Sequence, residues 1–394
     1  MPRLLHTADW QIGRHSSAAL GSRSRSGRFS EDDAALLAEA RFTAIERIAA
    51  LATAEQVDAV LVAGDVFDAQ TVSDRTIHRT FQLMKGYSGP WILIPGNHDA
   101  ALAESVWARA RRLNAIPPNV HALLAPEVRV FADAGIAILP APLTQRQTYQ
   151  DLTDWFDSAE TPAGLLRIGL AHGSVAGQLP ESADSPNPIA PTRAQSARLD
   201  YLALGDWHGC KQIDSRTWYS GTPEQDRFKD NNAGHVLIVD IAAPGAEPVV
   251  TLRSVGQHQW IKREATLTVA SDLDKLLAEL AQLPDKSVVD LTLRGQIDLH
   301  NHQRLLQALS AEEARQRSLQ YQLADLRLHP TDADIAELHA DGYVGEVVQT
   351  LRDMQENSSE AQITHEAHIA REALAILTGL LQQSTGQSAG EATA

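Results

Sequence analysis

The chain of 394 residues holds a single cysteine, Cys210. One thiol excludes an internal disulfide framework and suits a reducing compartment. Cys210 stands two residues after His208, but a thiolate selects softer metals than the oxygen donors found elsewhere in the chain, so it reads as a small bystander. Long apolar runs are missing too. No uninterrupted stretch approaches the ~18 residues a membrane span needs, and the opening MPRLLHTADWQ meets His6 and Asp9 before a signal-peptide core forms. We therefore expect a cytoplasmic protein without a membrane anchor. Positive charge is the third shortage: 34 Lys+Arg face 50 Asp+Glu, a formal net charge of −16. That balance excludes a protein that coats nucleic acid by bulk electrostatics, so any contact with DNA must be local. One local candidate is RHSSAALGSRSRSGR, where Arg14, Arg23, Arg25 and Arg28 occur with no acidic residue before Glu31. It reads equally as a solvated loop or as a phosphate-binding arm.

What the chain does have is enough apolar residue, 43%, for one large core and one or two small ones. Five short apolar runs in its first half each end in a polar residue able to bind metal. They are RLLHTA before Asp9, DAVLVAG before Asp65, WILIPG before Asn97, LLRIGLA before His172 and DYLALG before Asp206. Consecutive apolar positions of this length suit strands buried on both faces. Helical spacing follows between several of them, from Ser30 to about Ala54 with Ser30 as N-cap, and from about Ser73 to Lys85. Strand, polar tip, helix, strand is the grammar of a layered α/β domain whose ligands gather at the carboxyl ends of strands. The stretch 176–197, rich in Pro, Ser and Ala, predicts a long surface loop.

The pattern changes after about residue 258. KREATLTV, SDLDKLLAELAQL, VVDLTLRG, a helix through Leu305 and Leu309, and SLQYQLADLRL predict a small β-α-β-α-β unit, with Ser271 capping its first helix. The expected division is 1–257, 258–330, a helical segment 331–383 and a disordered tail 384–394. HNH at 300–302 reads as the capped start of a helix rather than a nuclease motif, and HEAH at 365–368 as a solvated helix face, because Ile369 stands where a zinc-binding helix needs its second His.

TADWQIG, VAGDVFDA, IPGNHDA, LAHGSV and LGDWHG, in this order, resemble the five-part signature of the calcineurin-like metallophosphoesterases. LLHTADWQIGR, VDAVLVAGDVFDA, WILIPGNHDA and, later, WYSGTPEQDRF at 218–228 resemble more closely the SbcD-type nuclease subunits and their archaeal and eukaryotic counterparts in double-strand-break repair. The resemblance covers about residues 1–255. It implies a layered α/β sandwich with a capping domain, and a manganese-dependent DNA exonuclease and endonuclease working in the nucleoid with an SMC-like ATPase. Two cations ~3.5–4 Å apart would share a bridging carboxylate and neutralise charge developing on phosphorus. Asp65 is the natural bridge; Asp9 and His208, with Gln11, would complete one metal, and Asn97, His172 and Asp206 the other. His98 is free to face the phosphate, and Asp99 is the candidate to orient its imidazole. Gln11 and Asp206 stand where the family carries histidines. The exchange makes the site harder and more anionic, which favours manganese or magnesium over zinc and predicts a weakened first metal. The C-terminal stripe Ile369, Ala373, Ile376, Leu377 and Leu380 predicts burial, either within its own domain or against a partner helix; the resemblance implies the latter, docking of 331–383 on the SMC-like ATPase, and a homodimer is compatible with the sequence. Two other readings stay open: a stand-alone nucleotide phosphodiesterase, and a non-catalytic accessory subunit in which Gln11 and Asp206 mark decay.

Overall fold

The computed structural model describes residues 2–14, 29–179, 186–329 and 342–356, together with 367, 369, 370, 372–374, 376 and 377. Two compact units divide at Gln259 and Trp260. In the first, strands β1 (Arg3–Thr7), β2 (Ala59–Ala63), β3 (Trp91–Ile94) and β4 (Val120–Ala122) run parallel, and β13 (His235–Asp240) and β14 (Val249–Ser254) extend the sheet antiparallel beyond β1. The centre of the second sheet is parallel, from β6 (Ile136–Ala141), β7 (Leu166–His172), β10 (Tyr201–Gly205) and β12 (Thr217–Tyr219). Its edges, β5 (Arg129–Phe131) and β11 (Lys211–Gln212), pair antiparallel, giving the order β11-β12-β10-β7-β6-β5.

Period-two alternation sorts the strand residues into layers. Leu61, Ile92, Ile94, Ile138, Ile168, Leu170 and Leu237 fill the space between the sheets. Val60, Val62, Trp91 and Leu93 face the other way, against Ile45, Ile48, Ile77, Phe81 and Trp107 of the covering helices. Every residue of β2, AVLVA, is therefore buried, as a strand covered on both faces requires. Those helices are α1 (Glu31–Ala54), α2 (Asp74–Leu83) and α3 (Val106–Arg112). Ser30 caps α1 by accepting from the Asp33 N–H at 3.0 Å, and Ser73 caps α2 by accepting from that of Thr76 at 3.1 Å. Within the stretch 176–197 the described residues include a short strand, β9 (Pro188–Ile189), paired parallel with β8 (Ser174–Val175). A helical turn follows, α4 (Arg193–Ser196), tied down by ion pairs from Arg193 to Asp151, Asp154 and Asp157.

His6 is wholly buried between the sheets. Its Nδ1 accepts from the Tyr201 hydroxyl at 2.9 Å and its Nε2–H donates to the Leu204 carbonyl at 3.2 Å. Burial lowers its pKa to about 3, so the folded chain holds it neutral while the unfolded chain protonates it near 6.5. Its stabilisation is complete above pH 6.5 and is lost as pH falls toward 3, at about 1.4 kcal/mol per pH unit. In urea denaturation at pH 7.5 and pH 5, wild type is expected to lose its advantage over His6→Gln at the lower pH. An advantage that does not change with pH would show that His6 does not titrate between the two states.

The second unit begins with β15 (Trp260–Leu267), α5 (Ala270–Ala281), β16 (Val288–Ile297), α6 (Leu299–Arg315) and β17 (Ser318–Leu328). Its three strands are parallel, in the order β15-β16-β17. Leu273, Leu276, Leu280, Leu291, Leu293, Leu305, Leu309 and Leu326 form its core. Ser271 lies inside α5 rather than capping it; Asp272 reaches back instead to accept from the Thr268 and Val269 N–H groups. At α6 the cap is Asp298, which accepts from the Asn301 N–H at 2.7 Å, while Asn301 of the HNH stretch is buried and returns a bond to the same carboxylate. Helix α7 (Tyr343–Glu356) adds Val348 to this core, and Leu374 joins it. Leu377 packs against it, whereas Ile369 and Ile376 are 49% and 62% exposed. Leu380 and most of the HEAH stretch lie outside the described residues.

Candidate metal centre

The carboxyl ends of β1, β2, β3, β7 and β10 bring Asp9, Asp65, Asn97, His172 and Asp206 into one cluster, drawn from both sheets of the first unit. The backbone is unusual there. Asp9, Gln11, Asp65 and Asp206 all have positive φ, at 55°, 47°, 54° and 99°, a conformation that non-glycine residues adopt sparingly and that gathers at functional sites. Two glycines make the packing possible. A Cβ at Gly64 would stand 2.3 Å from His172 Nδ1, and one at Gly96 would stand 2.2 Å from Asp65 Oδ1.

Ligand atoms of Asp9, Asp65 and His172, all three residues buried, lie within 4.8 Å of one another. His172 donates its Nδ1–H to the Ala63 carbonyl at 2.8 Å, so the lone pair of Nε2 points into the cluster. Around that nitrogen stand Asn97 Oδ1 at 3.2 Å, Asp65 Oδ1 at 3.7 Å and Asp206 Oδ1 at 3.7 Å. Neighbouring ligands of one ion with bonds of about 2.1 Å are separated by roughly 3–3.5 Å. Asp9, Asp65 and His172 are close enough together to share a hard divalent cation, and Asn97 Oδ1 and Asp206 Oδ1 stand beside the same imidazole nitrogen.

The electrostatics agree. Burial raises the Asp9 carboxyl to about 6, partly offset by His208 and His172. Burial works the other way on His172, but Asp65, Asp9 and Asp206 outweigh it and raise that imidazole to about 9. Without a cation, the cluster recruits protons to balance its own negative charge.

His98 donates its backbone N–H to Asp65 Oδ1 at 2.9 Å, and its Nδ1–H to the Asp68 carbonyl at 2.8 Å. That leaves Nε2, 4.0 Å from Asp65 Oδ2 on a side chain 41% exposed, turned to the edge of the cluster. The partner of the imidazole is therefore Asp68 and not Asp99. Asp99 is wholly buried and accepts from the Gly96 N–H at 2.7 Å and the Phe67 N–H at 3.2 Å. Burial and the neighbouring Asp65 raise it to about 7. It fixes the Asn97–His98 turn through the backbone, because its own position inside the turn points it away from the imidazole.

Gln11 and His208 form a second group. The Gln11 carboxamide nitrogen lies 3.1 Å from His208 Nε2, and its oxygen accepts from Arg14. Behind them is Asp226, 1% exposed. It receives Arg14 Nη1 at 2.7 Å, Arg227 Nε at 2.9 Å and His208 Nδ1 at 3.3 Å, with Arg41 at 3.8 Å. Burial pushes the Asp226 carboxyl up, but His208, Arg227 and Arg41 hold it well below the usual range. The sequence pattern does not single out Asp226, Arg41 or Arg227 as site residues. The one signal for Asp226 and Arg227 is the segment WYSGTPEQDRF, in which they are adjacent, and Arg41 has none. Arg14 belongs here and not to a solvated run; Arg23, Arg25 and Arg28 lie outside the described residues. Cys210 is raised to about 11 by burial and packs beside the core between the sheets.

The chain is similar in sequence to known proteins. The calcineurin-like phosphoesterase family model matches residues 2–238. The SbcD component of the SbcCD nuclease of Escherichia coli (strain K12) is 26% identical over 354 residues, 78% of this chain and 82% of that one. Its namesake from Bacillus subtilis (strain 168) is 25% identical over 291 residues, 62% of this chain and 67% of that one. The DNA double-strand break repair protein Mre11 of Aeropyrum pernix is 25% identical over 272 residues, 64% of this chain and 60% of its own length. With the family model covering more than half of the sequence and the metal-binding cluster at the strand ends it spans, the chain belongs to the calcineurin-like phosphoesterases.

Proposed function

We propose that this protein is a divalent-metal-dependent DNA nuclease, hydrolysing phosphodiester bonds as an exonuclease and endonuclease, and that it works in DNA repair with an SMC-like ATPase. The observation that carries the reading is the buried group of Asp9, Asp65 and His172, whose ligand atoms lie within 4.8 Å of one another, with Asn97 and Asp206 beside His172 Nε2 and His98 Nε2 at the rim. The relatives named as parts of a nuclease supply the substrate class. Asp65, Asn97, His172 and Asp206 would hold the ion, with Asp9 alongside. A bound divalent ion supplies Lewis acidity toward a phosphodiester. The chain's own residues do the rest. His98, anchored through Nδ1–H to the Asp68 carbonyl, presents Nε2 to the substrate and, as the imidazolium, delivers its Nε2 proton to the departing oxygen. Asp99 holds that turn in place. The oxygen-rich donor set favours manganese, with magnesium second, over zinc.

Among the described residues no helix is long and apolar enough to cross a membrane, and we place the protein in the cytoplasm, associated with the nucleoid. Residues of about 331–383 are the proposed ATPase contact. Among the described residues of that span, Val348 and Leu374 are spent on the core of the second unit, while Tyr343, Met354, Ile369 and Ile376 are exposed and available to a partner.

The decisive assay is the purified full-length chain with manganese, magnesium or EDTA on linear double-stranded DNA, single-stranded DNA and bis-p-nitrophenyl phosphate. Manganese-dependent cleavage of DNA and of the small diester is expected. Cleavage of the small diester alone would favour a nucleotide phosphodiesterase, and none with any substrate would favour an accessory subunit.

A further inference from the structure

We infer that this chain binds one divalent ion, on the His172 side, and that Arg14 occupies the role in which the family signature expects a second. The inference rests on the reading of the cluster as a metal-dependent diesterase. It turns on Gln11, whose side chain has one oxygen and one nitrogen to share between two neighbours. Its separation of 3.1 Å from His208 Nε2 would suit two ligands of a common ion if the inward atom were oxygen. The inward atom is nitrogen, which is no ligand. Turning the carboxamide over would set its NH2 against the Arg14 guanidinium, donor against donor. Arg14 thus dictates that the only ligating atom of Gln11 points away from the position a second ion needs.

Arg14 is itself held in place. The nitrogen that binds Gln11 also donates to Asp226 at 2.7 Å, and Asp226 is buried and gripped in addition by Arg227, Arg41 and His208. To release Gln11, Arg14 would have to give up its bond to a buried carboxylate as well. His208 is committed as well: its Nδ1–H faces Asp226 at 3.3 Å and its Nε2 accepts from the Gln11 NH2 at 3.1 Å. Of the residues expected to complete the first metal, Asp9 and the shared Asp65 alone offer free anionic oxygens, and Asp9 already accepts the Asp206 N–H through both, at 3.2 Å each.

The charges balance the same way. Asp9, Asp65 and Asp206 carry three negative charges, and one divalent ion leaves one uncompensated. Arg14, Arg41 and Arg227 stand around Asp226, with Glu224 and Asp68 also acting on Arg41. A second divalent ion would stand beside the Arg14 guanidinium, which repels it and attracts instead the remaining negative charge of the cluster and of a phosphodiester. Arg14 presents a planar cation that does not dissociate, matched to phosphate oxygens.

The test counts ions in the absence of substrate. Wild-type protein saturated with manganese and desalted should retain one ion per chain by elemental analysis, with the six-line electron paramagnetic resonance spectrum of an isolated manganese. Arg14→Ala combined with Gln11→His should retain two, with a spin-coupled spectrum. Two ions in the wild type, or one in a folded double variant, would overturn the inference. A chain that holds one ion but leaves DNA intact would fail the nuclease reading alone, and a chain that holds none would fail both.

Discussion

Asp65→Asn should release the ion and lower diesterase activity by about 10³-fold or more. The substitution keeps the shape of the side chain and retains an oxygen for the His98 N–H that Asp65 accepts at 2.9 Å, so the turn it anchors should survive. What it removes is the negative charge 3.7 Å from His172 Nε2. Metal ions contribute several kcal/mol of transition-state stabilisation, and each 1.36 kcal/mol is a factor of ten in rate. Asp65 is also the largest influence raising His172 to about 9, so the variant's imidazole should titrate lower. In wild type that imidazole is protonated at neutral pH when no ion is present, and the ion must displace the proton. Affinity should accordingly rise with pH toward about 9 and fall steeply below about 6, where Asp9 is protonated too. Calorimetric manganese titrations in buffers of different ionisation enthalpy would show about one proton released per ion at pH 7.5. A variant that still binds manganese with unchanged affinity would remove Asp65 from the ligand set.

The strand-end pattern was legible in the sequence because each apolar run is buried on both faces and needs no alternation to be recognised; AVLVA before Asp65 is the plainest case. The helix caps at Ser30 and Ser73 were legible for a similar reason, since the hydroxyl satisfies a backbone donor only three residues away. Contacts that depend on distant segments were not. Asp68 and Asp99 both lie near His98, and no periodicity tells which one meets the imidazole; the turn places Asp99 inward on two backbone N–H groups and leaves the Asp68 carbonyl to the ring. Arg14 and Asp226 are 212 residues apart, and nothing local marks the carboxylate as a partner of Gln11 and His208. The positive φ of Asp9, Gln11, Asp65 and Asp206 was equally hidden: aspartate adopts it more often than most non-glycine residues, but nothing in the sequence marks which aspartates do. The C-terminal helices show the limit of apolar spacing. It marks which residues avoid water, but the packing of Leu374 and the exposure of Ile369 depend on the neighbouring core.

His98→Ala should reduce turnover by ~10²–10⁴-fold, the range for loss of a general acid or base, while leaving manganese binding within about twofold of wild type. The separation of these two effects follows from which atoms of His98 do what. Its backbone N–H, which survives the substitution, is the group that binds Asp65. Its imidazole makes one hydrogen bond, to the Asp68 carbonyl, and keeps Nε2 4.0 Å from Asp65 Oδ2, beyond hydrogen-bond reach and at the exposed rim. Removing the ring thus leaves the carboxylate and the turn intact but deprives the departing oxygen of its proton donor. If that is the role, the penalty should track the leaving group. Hydrolysis of bis-p-nitrophenyl phosphate, whose departing phenolate needs little help from an acid, should suffer far less than cleavage of DNA, whose departing alkoxide needs a proton. Equal losses on both substrates with the ion retained would reassign His98 to holding the phosphate, and loss of manganese together with activity would make it a ligand.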